Sequence, residues 1–400
     1  MPWLMGCLLF LLTAGFAKIS TVVVNQLLSR PQPKWMMGLT ELIQLASLPL
    51  YLYIVYDALL GSRAGRVFDF QVNDAVTQLA RALIIFGAIG IVELIRSTIV
   101  FQCYRSPECE IDVDSRIIDF RLVELDQPWQ ETLAGPRPMR PIALLPGNEQ
   151  FTLEVSTKTY LLPRVPREWD GLSIVHLADT HFLGAVACKY FEMVCEQAAA
   201  LKPDLFVFSG DLLDDPDLLH WLPETFGRLK APLGQYFVLG NHDWYHDTKT
   251  IRREFEAHGW IDLSGRSLEL ESLTDGPPIL LAGDESPWIG DHPMLPAHSR
   301  DQFRILLSHT PDNITWARSQ AFDVVFAGHT HGGQIRLPIL GPVYSPSRFG
   351  CKFASGVFWL DPTLLYVSRG LSGREPIRYF CVPELTKIVL RTRSFGNDVS

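Results

Sequence analysis

Apolar and polar positions divide this chain into two unlike parts. From Trp3 to Leu28, Met36 to Leu60 and Val76 to Cys103 the residues are apolar over lengths that suit a bilayer-spanning helix, roughly 20 residues each. Runs such as Leu8–Ala17 and Ala82–Val92 are apolar on every side. That favours membrane helices over a soluble bundle with one apolar stripe per helix. Lys18, Glu41, Pro49, Glu93 and Arg96 interrupt these runs. Charges of this kind face inward, pair, or snorkel to the interface, and Glu93 and Arg96 are spaced to share a helix face. Residues 1–103 are therefore expected to form a hydrophobic region of three transmembrane helices. A cleaved signal peptide fits less well, because the start lacks a basic segment and further apolar runs follow. Arg30 and Lys34 in the first loop balance Arg63 and Arg66 in the second, so the distribution of positive charge leaves the orientation open.

Between residues 104 and 150 charges appear, prolines cluster (Pro128, Pro136, Pro138, Pro141, Pro146), and Ile111–Val123 alternates weakly. This reads as a linker with one or two strands. From Phe151 the pattern becomes regular and defines a domain over 151–400. Strand-like runs at Phe151–Leu162, Leu172–Ala178, Leu205–Ser209, Gln235–Leu239, Pro278–Ala282, Phe303–Ser308 and Asp323–Ala327 are separated by helical stretches at Ala187–Leu201, Leu218–Leu229 and Lys249–His258. Alternating strands and helices predict an α/β sheet with helices outside, and ligands in such sheets bind beyond the carboxyl ends of the strands.

The length of 400 residues accommodates two to three domains, and the net charge of −9 without a basic stripe argues against a nucleic-acid partner. Seven scattered cysteines with no C-x-x-C pair indicate neither a disulfide framework nor a zinc knuckle.

Five strand ends carry metal-competent residues: Asp179 and His181, Asp211, Asn241, His309, and then His329 and His331. The last pair stands one residue apart between Gly328 and Gly332-Gly333, so both imidazoles of an extended segment point the same way. A single such Asp would be explained by a helix cap; five coincidences at equivalent places are hard to obtain by chance. Seven ligands exceed one tetrahedral centre and suit two divalent ions roughly 3.5–4 Å apart that share a carboxylate. Carboxylate, imidazole and amide donors without thiolate fit Mn²⁺, Fe²⁺ or Zn²⁺.

Asp179-Thr-His181, Gly210-Asp-Leu-Leu-Asp214, Gly240-Asn-His-Asp243, His309 and Gly328-His-Thr-His331, in this order, resemble the calcineurin-like metallophosphoesterases over about Phe151–Leu390. The tail Val367–Leu371, Pro376–Arg378 and Pro383-Glu384 resembles a bacterial branch that is often membrane-anchored and includes UDP-2,3-diacylglucosamine pyrophosphatases. The resemblance implies an αββα sandwich and two divalent ions (Mn²⁺ foremost); together with the three apolar segments, which lie outside the shared domain, the membrane-anchored branch leads to the expectation of a multi-pass protein of the bacterial inner membrane. It assigns Asp179, His181, Asp211 and His331 to one ion, and Asp211, Asn241, His309 and His329 to the other. His242 would be catalytic, stabilising phosphoryl oxygens or protonating the leaving oxygen. Asp243 is placed to orient His242 or to serve a turn, and Asp214 to support the ligands or cap a helix. Purple acid phosphatases, with a tyrosine ligand and no histidine in the first motif, and phosphoprotein phosphatases, which continue with Arg-Gly where this chain has Asp215-Pro216, are disfavoured.

The function these features predict is hydrolysis of phosphate esters or pyrophosphates by a metal-bridging hydroxide, on a lipid-linked substrate held near a membrane. The alternatives are a soluble-nucleotide phosphodiesterase and a catalytically silent membrane scaffold or metal sensor. His176 reads as a core histidine; His220, His246 and His258 as surface residues; His292 and His298 as surface residues or pocket lining. Arg369, Arg374 and Arg378 are either phosphate contacts or structural ion pairs. The sequon Asn313-Ile-Thr315 is set aside because it lies close to the candidate ligands.

Overall fold

The computed structural model describes residues 2–393 except 65, 105, 124, 137, 273–274 and 297–301. The described chain falls into two compact units: residues 1–104 with 337–352, and residues 105–336 with 353–400.

The first unit holds three long helices, α1 (Pro2–Leu28), α2 (Lys34–Leu59) and α3 (Ala75–Gln102). By length and composition all three are able to cross a membrane. α1 packs chiefly against α3, and glycines permit the approach: a Cβ on Gly90 would lie 1.8 Å from the Gly15 carbonyl oxygen. Small residues at such crossings are how helices associate where no hydrophobic effect drives them together. Phe16 stacks on Tyr51 with ring centroids 4.0 Å apart, and Gln44 Nε2 donates to Thr21 Oγ1 across 3.1 Å. Glu93 and Arg96 do form an ion pair, at 2.7 Å. Much of the remaining helix surface is apolar and exposed, including Leu42, Ile43, Leu45, Ile85, Ile89 and Ile95.

The second unit begins with strand β1 (Glu110–Asp119), the short helices α4 (Trp129–Thr132) and α5 (Arg140–Ala143), and β2 (Thr152–Leu162). The stretch read as a linker thus contributes a strand that pairs antiparallel with β2, and buries Phe120, Leu133 and Ala143 in the core. There follow β3 (Leu172–Leu177), α6 (Cys188–Ala200), β4 (Leu205–Phe208), β5 (Gln235–Phe237), α7 (Thr248–Ala257), β6 (Ile261–Asp262), β7 (Ser267–Leu270), β8 (Ile279–Asp284), β9 (Arg304–Ser308), α8 (Ile314–Ser319) and β10 (Val324–Ala327). The two-residue strands β11 (Arg336–Leu337) and β12 (Gly341–Pro342) precede β13 (Gly356–Leu360), β14 (Thr363–Val367) and β15 (Glu384–Thr392).

These strands form two sheets, ordered β1-β2-β15-β3-β4-β5-β6 and β13-β14-β10-β9-β8-β7. Period-two alternation divides the apolar residues between two cores. Ile174, Leu205 and Val207 of one sheet meet Ile305, Leu307, Val324 and Phe326 of the other. Their neighbours Val175, Leu177, Phe206 and Phe208 face Tyr190 and Val194 of α6 and Ile251 and Phe255 of α7. The strand ends with candidate ligands therefore come from both layers: β3, β4 and β5 from one, β9 and β10 from the other. The helix expected over Leu218–Leu229 is instead two 3-10 turns, Pro216–Trp221 and Phe226–Arg228. Pro223, which lacks an amide hydrogen, and Gly227 prevent one continuous α-helix there.

Candidate metal centre

The loops after β3, β4 and β10 leave their strands through left-handed backbone. Asp179 (φ +55°), His181 (+46°), Asp211 (+59°), His329 (+72°) and His331 (+51°) all lie in this region, which residues other than glycine seldom adopt. Such strain persists only where the surroundings hold it. Here His181 N donates to the Asp211 carbonyl (3.1 Å), Ser372 N to the Asp179 carbonyl (2.9 Å), and His329 N to Asp179 Oδ1 (2.9 Å).

The strand ends bring side chains together in three groups. Asp179, His181, Asp211 and His331 form one; Asp211, His309 and His329 a second; His181, Asp214 and His242 a third. Asn241 joins the second, with Oδ1 2.8 Å from His309 Nε2. All seven candidate ligands from the sequence are thus assembled, with Asp211 common to the first two groups.

The hydrogen bonds identify which atoms are free to coordinate. His309 Nδ1 donates to the Ser209 carbonyl (2.8 Å), His331 Nδ1 to the Ser372 carbonyl (3.1 Å), and His181 Nδ1 to Asp214 Oδ2 (2.9 Å). In the neutral rings each Nε2 then carries a lone pair. The lone pairs of His181 and His331 face each other at 3.2 Å, and that of His309 faces the Asn241 amide oxygen. Between them sits Asp211 Oδ2, buried without a hydrogen-bond donor, 3.4 Å from His181 Nε2 and 3.5 Å from His309 Nε2. This convergence of ring nitrogens and carboxylate oxygens fits cations on both sides of Asp211; without them, against burial, Asp214 and Asp211 raise the His181 pKa and favour a proton in their place.

Burial, and then the Asp211 charge, push Asp179 up to about 6. Burial, helped by His181 and Arg378, holds His331 well below the ordinary imidazole range and keeps it neutral. His242 is opposite: burial would lower it, but Asp214 and Asp211 outweigh that and push it up to about 9. Its Nδ1 donates to Asp214 Oδ1 and its backbone N–H to Asp211 Oδ1 at 2.8 Å. In the imidazolium form its other nitrogen carries a proton as well.

Asp214, not Asp243, orients His242, and the same carboxylate holds His181. Nor is Asp214 a helix cap; Asp215 caps the following turn. Asp243 is buried and accepts the N–H groups of Asp211, Leu212, Leu213 and Gly240 at 2.9–3.2 Å, so it fixes the loop that carries Asp211. Trp288, which the sequence reading passed over, covers the second group with its ring 4.8 Å from His329 and 5.6 Å from His309.

The remaining candidates lie elsewhere. His176 is buried and hydrogen-bonds Ser209 Oγ at 2.8 Å. His292 pairs with Asp284 and stacks on Trp316; His298 lies outside the described residues. Arg369 is bound between Glu154 and Glu384. Arg378 is buried and donates to the carbonyls of His331, Arg369 and Ser372. Arg374 is half exposed and close enough to influence His242 and Tyr245. Asn313 is buried and donates to Ser286 and Ser308, which makes it unfit for glycosylation.

A family model described as calcineurin-like phosphoesterase matches residues 172–333, a span that contains all seven candidate ligands. The uncharacterized metallophosphoesterase YkuE of Bacillus subtilis is 30% identical over 251 residues, covering 61% of this chain and 87% of that protein. The UDP-2,3-diacylglucosamine pyrophosphatase LpxG of Chlamydia muridarum is 26% identical over 309 residues, covering 59% and 89%. A transmembrane protein with metallophosphoesterase domain from Danio rerio is 29% identical over 254 residues, covering 57% and 55%.

Proposed function

Because this chain belongs to the calcineurin-like phosphoesterase family, a family of metal-dependent phosphoester hydrolases, we propose that it cleaves a phosphodiester or pyrophosphate bond in a lipid-linked substrate. The observation that carries the proposal is Asp211 Oδ2, a buried carboxylate oxygen without a donor between two sets of inward-facing lone pairs. Asp179, His181, Asp211 and His331 would hold one ion; Asp211, Asn241, His309 and His329 would hold the other. The donor set suits Mn²⁺, with Fe²⁺ or Zn²⁺ as alternatives. When bound, the ions supply Lewis acidity toward phosphoryl oxygens and toward water.

The chain's own residues supply the rest. The Ser209 and Ser372 carbonyls fix the ring orientations of His309 and His331, so the coordinating nitrogens are set before any ion arrives. Asp214 holds His242 as the charged imidazolium, which donates a proton to a phosphoryl or leaving-group oxygen. Arg374 adds positive charge at the rim, suited to a second phosphate.

Three membrane-length helices and the similarity to LpxG support a lipid-linked substrate and a multi-pass protein of the bacterial inner membrane. The test is hydrolysis by the detergent-solubilised full chain of a UDP-sugar-lipid, a phospholipid and a nucleotide phosphodiester, each with Mn²⁺, Fe²⁺ or Zn²⁺. The proposal expects turnover of a lipid-linked substrate. Turnover of the nucleotide alone would replace the substrate class, and metal binding without any turnover would leave a scaffold or sensor.

A further inference from the structure

Residues 337–352 depart from the sheet-bearing unit just after Arg336 and rejoin it at Phe353; in between they belong with the apolar helices and meet α1 and α3. The attachment is specific. Gln102 Nε2, at the last residue of α3, donates to the Ile339 carbonyl at 2.6 Å. Ser345 N donates to Asn25 Oδ1, near the end of α1, at 3.3 Å. Gly341, at φ +75°, sits so close to α3 that a Cβ would lie 2.5 Å from the Phe101 ring. Three successive spanning helices put the carboxyl ends of the first and third on one membrane face, so all these attachments fall at that face.

Two features of the loop have no explanation in the packing. Ile339 has φ +70°, a conformation in which a β-branched residue is a steric outlier and glycine would be at ease. Its side chain is also 73% exposed, so no core contact selects it. Leu337 beside it is 44% exposed. The fold thus holds a strained backbone in a place where it presents an apolar side chain outward. Strain that is retained in this way points to a role. The exposed side chains of Ile95 and Ile99 carry an apolar surface of α3 toward Gln102, whose side chain bonds the Ile339 carbonyl.

We propose that Leu337 and Ile339 form a membrane-interface anchor, seated in the boundary between lipid headgroups and acyl chains at the face where α1 and α3 end. The occupant is the lipid bilayer itself, because the loop prolongs a helix surface of lipid-spanning length and adds exposed aliphatic side chains at its edge. The inference rests on the reading of α1–α3 as membrane helices, and adds that a loop of the phosphoesterase sequence, a few residues beyond His331, also meets lipid.

The test places a photo-crosslinking benzoylphenylalanine at Ile339, and separately at Ile95, in the full chain reconstituted into phosphatidylethanolamine–phosphatidylglycerol vesicles. Phospholipid adducts at both positions are expected. Adducts at Ile95 without adducts at Ile339 overturn the anchor and leave the membrane helices standing; adducts at neither overturn both. Hydroxyl-radical footprinting of the unsubstituted chain in the same vesicles gives an answer independent of substitution. Oxidation of Ile339 as slow as that of Ile95 supports the anchor, and oxidation at the rate of a water-exposed side chain contradicts it.

Discussion

The Nε2 atoms of His181 and His331 lie 3.2 Å apart, and each ring already donates its Nδ1 proton to another group. Two lone pairs at that distance repel unless a proton or a metal ion stands between them, so a metal ion that binds here should stabilise the folded chain. Saturating metal at about 100 times its dissociation constant would stabilise the fold by about 2.7 kcal/mol. Chelation of the purified chain should therefore lower its melting temperature by about 5 °C or more. Readdition of a divalent ion should restore it, as followed by differential scanning fluorimetry.

Asp214 joins His181 to His242, so Asp214→Asn should act on both. An amide keeps the shape but loses the charge that sustains the His242 imidazolium. Activity should fall roughly 10²-fold, the scale of a lost general acid or ligand support. The sign of the pH effect is also fixed. The proposed role of His242 requires the protonated ring, and, against burial, Asp214 and Asp211 push it up to about 9. Without Asp214 the pKa falls, and the decline of activity on the alkaline side should begin at lower pH. An unchanged pH–rate profile would contradict this pairing.

Arg374 tests whether the rim contributes to substrate binding. Its guanidinium is about half exposed, and its partner Glu375 is exposed too, at 3.5 Å. A charge-assisted hydrogen bond to phosphate is worth about 1.5 kcal/mol, or roughly tenfold. Arg374→Ala should raise KM by about that factor and leave kcat within about threefold, with partial rescue by Arg374→Lys. Steady-state kinetics on a pyrophosphate-linked substrate is the measurement.

Gly240 is required by space. A Cβ there would lie 2.1 Å from Asp211 Oδ1 and 2.6 Å from His309 Cε1. Gly240→Ala should displace the Asp211 carboxylate, at a stability cost of about 1–3 kcal/mol. Metal titration should show affinity at least about tenfold weaker.

His176 makes the fold sensitive to acid. Burial, opposed only in part by Glu384, pushes its pKa down to about 3. Below the ordinary value of about 6.5 the unfolded chain takes up a proton that the folded chain refuses, so stability is lost as pH falls from there toward 3. The loss between pH 6.5 and 5 is about 2 kcal/mol. His176→Gln should be less stable at pH 7 because of its packing, yet its melting temperature should drop about 5 °C less than that of the natural chain between pH 7 and 5.

The ligand positions were legible because each is a polar residue at the end of an apolar run, a pattern that chain order preserves. That the runs belong to two sheets was less so: β15 lies between β2 and β3, a pairing no local signal announces. Of the two roles open to each in the sequence, Asp214 takes the support of the ligands and Asp243 the turn. Adjacency in sequence favours Asp243 as the partner of His242, but the turn aims its carboxylate at the backbone of the Asp211 loop. The Gly-Asp-x-x-Asp spacing that set Asp214 beside both histidines was the available clue. The carbonyls of Ser209 and Ser372 leave no trace in side-chain chemistry. The same holds for Trp288, one aromatic residue in a polar loop.

The proposed function requires that one carboxylate, Asp211, join two cation sites. Its most direct test is the metal content of the purified full chain after equilibrium dialysis against Mn²⁺. The natural chain should bind two ions, and Asp211→Asn at most one, with loss of phosphodiester hydrolysis. One ion in the natural chain, or two ions and undiminished turnover in Asp211→Asn, would contradict it.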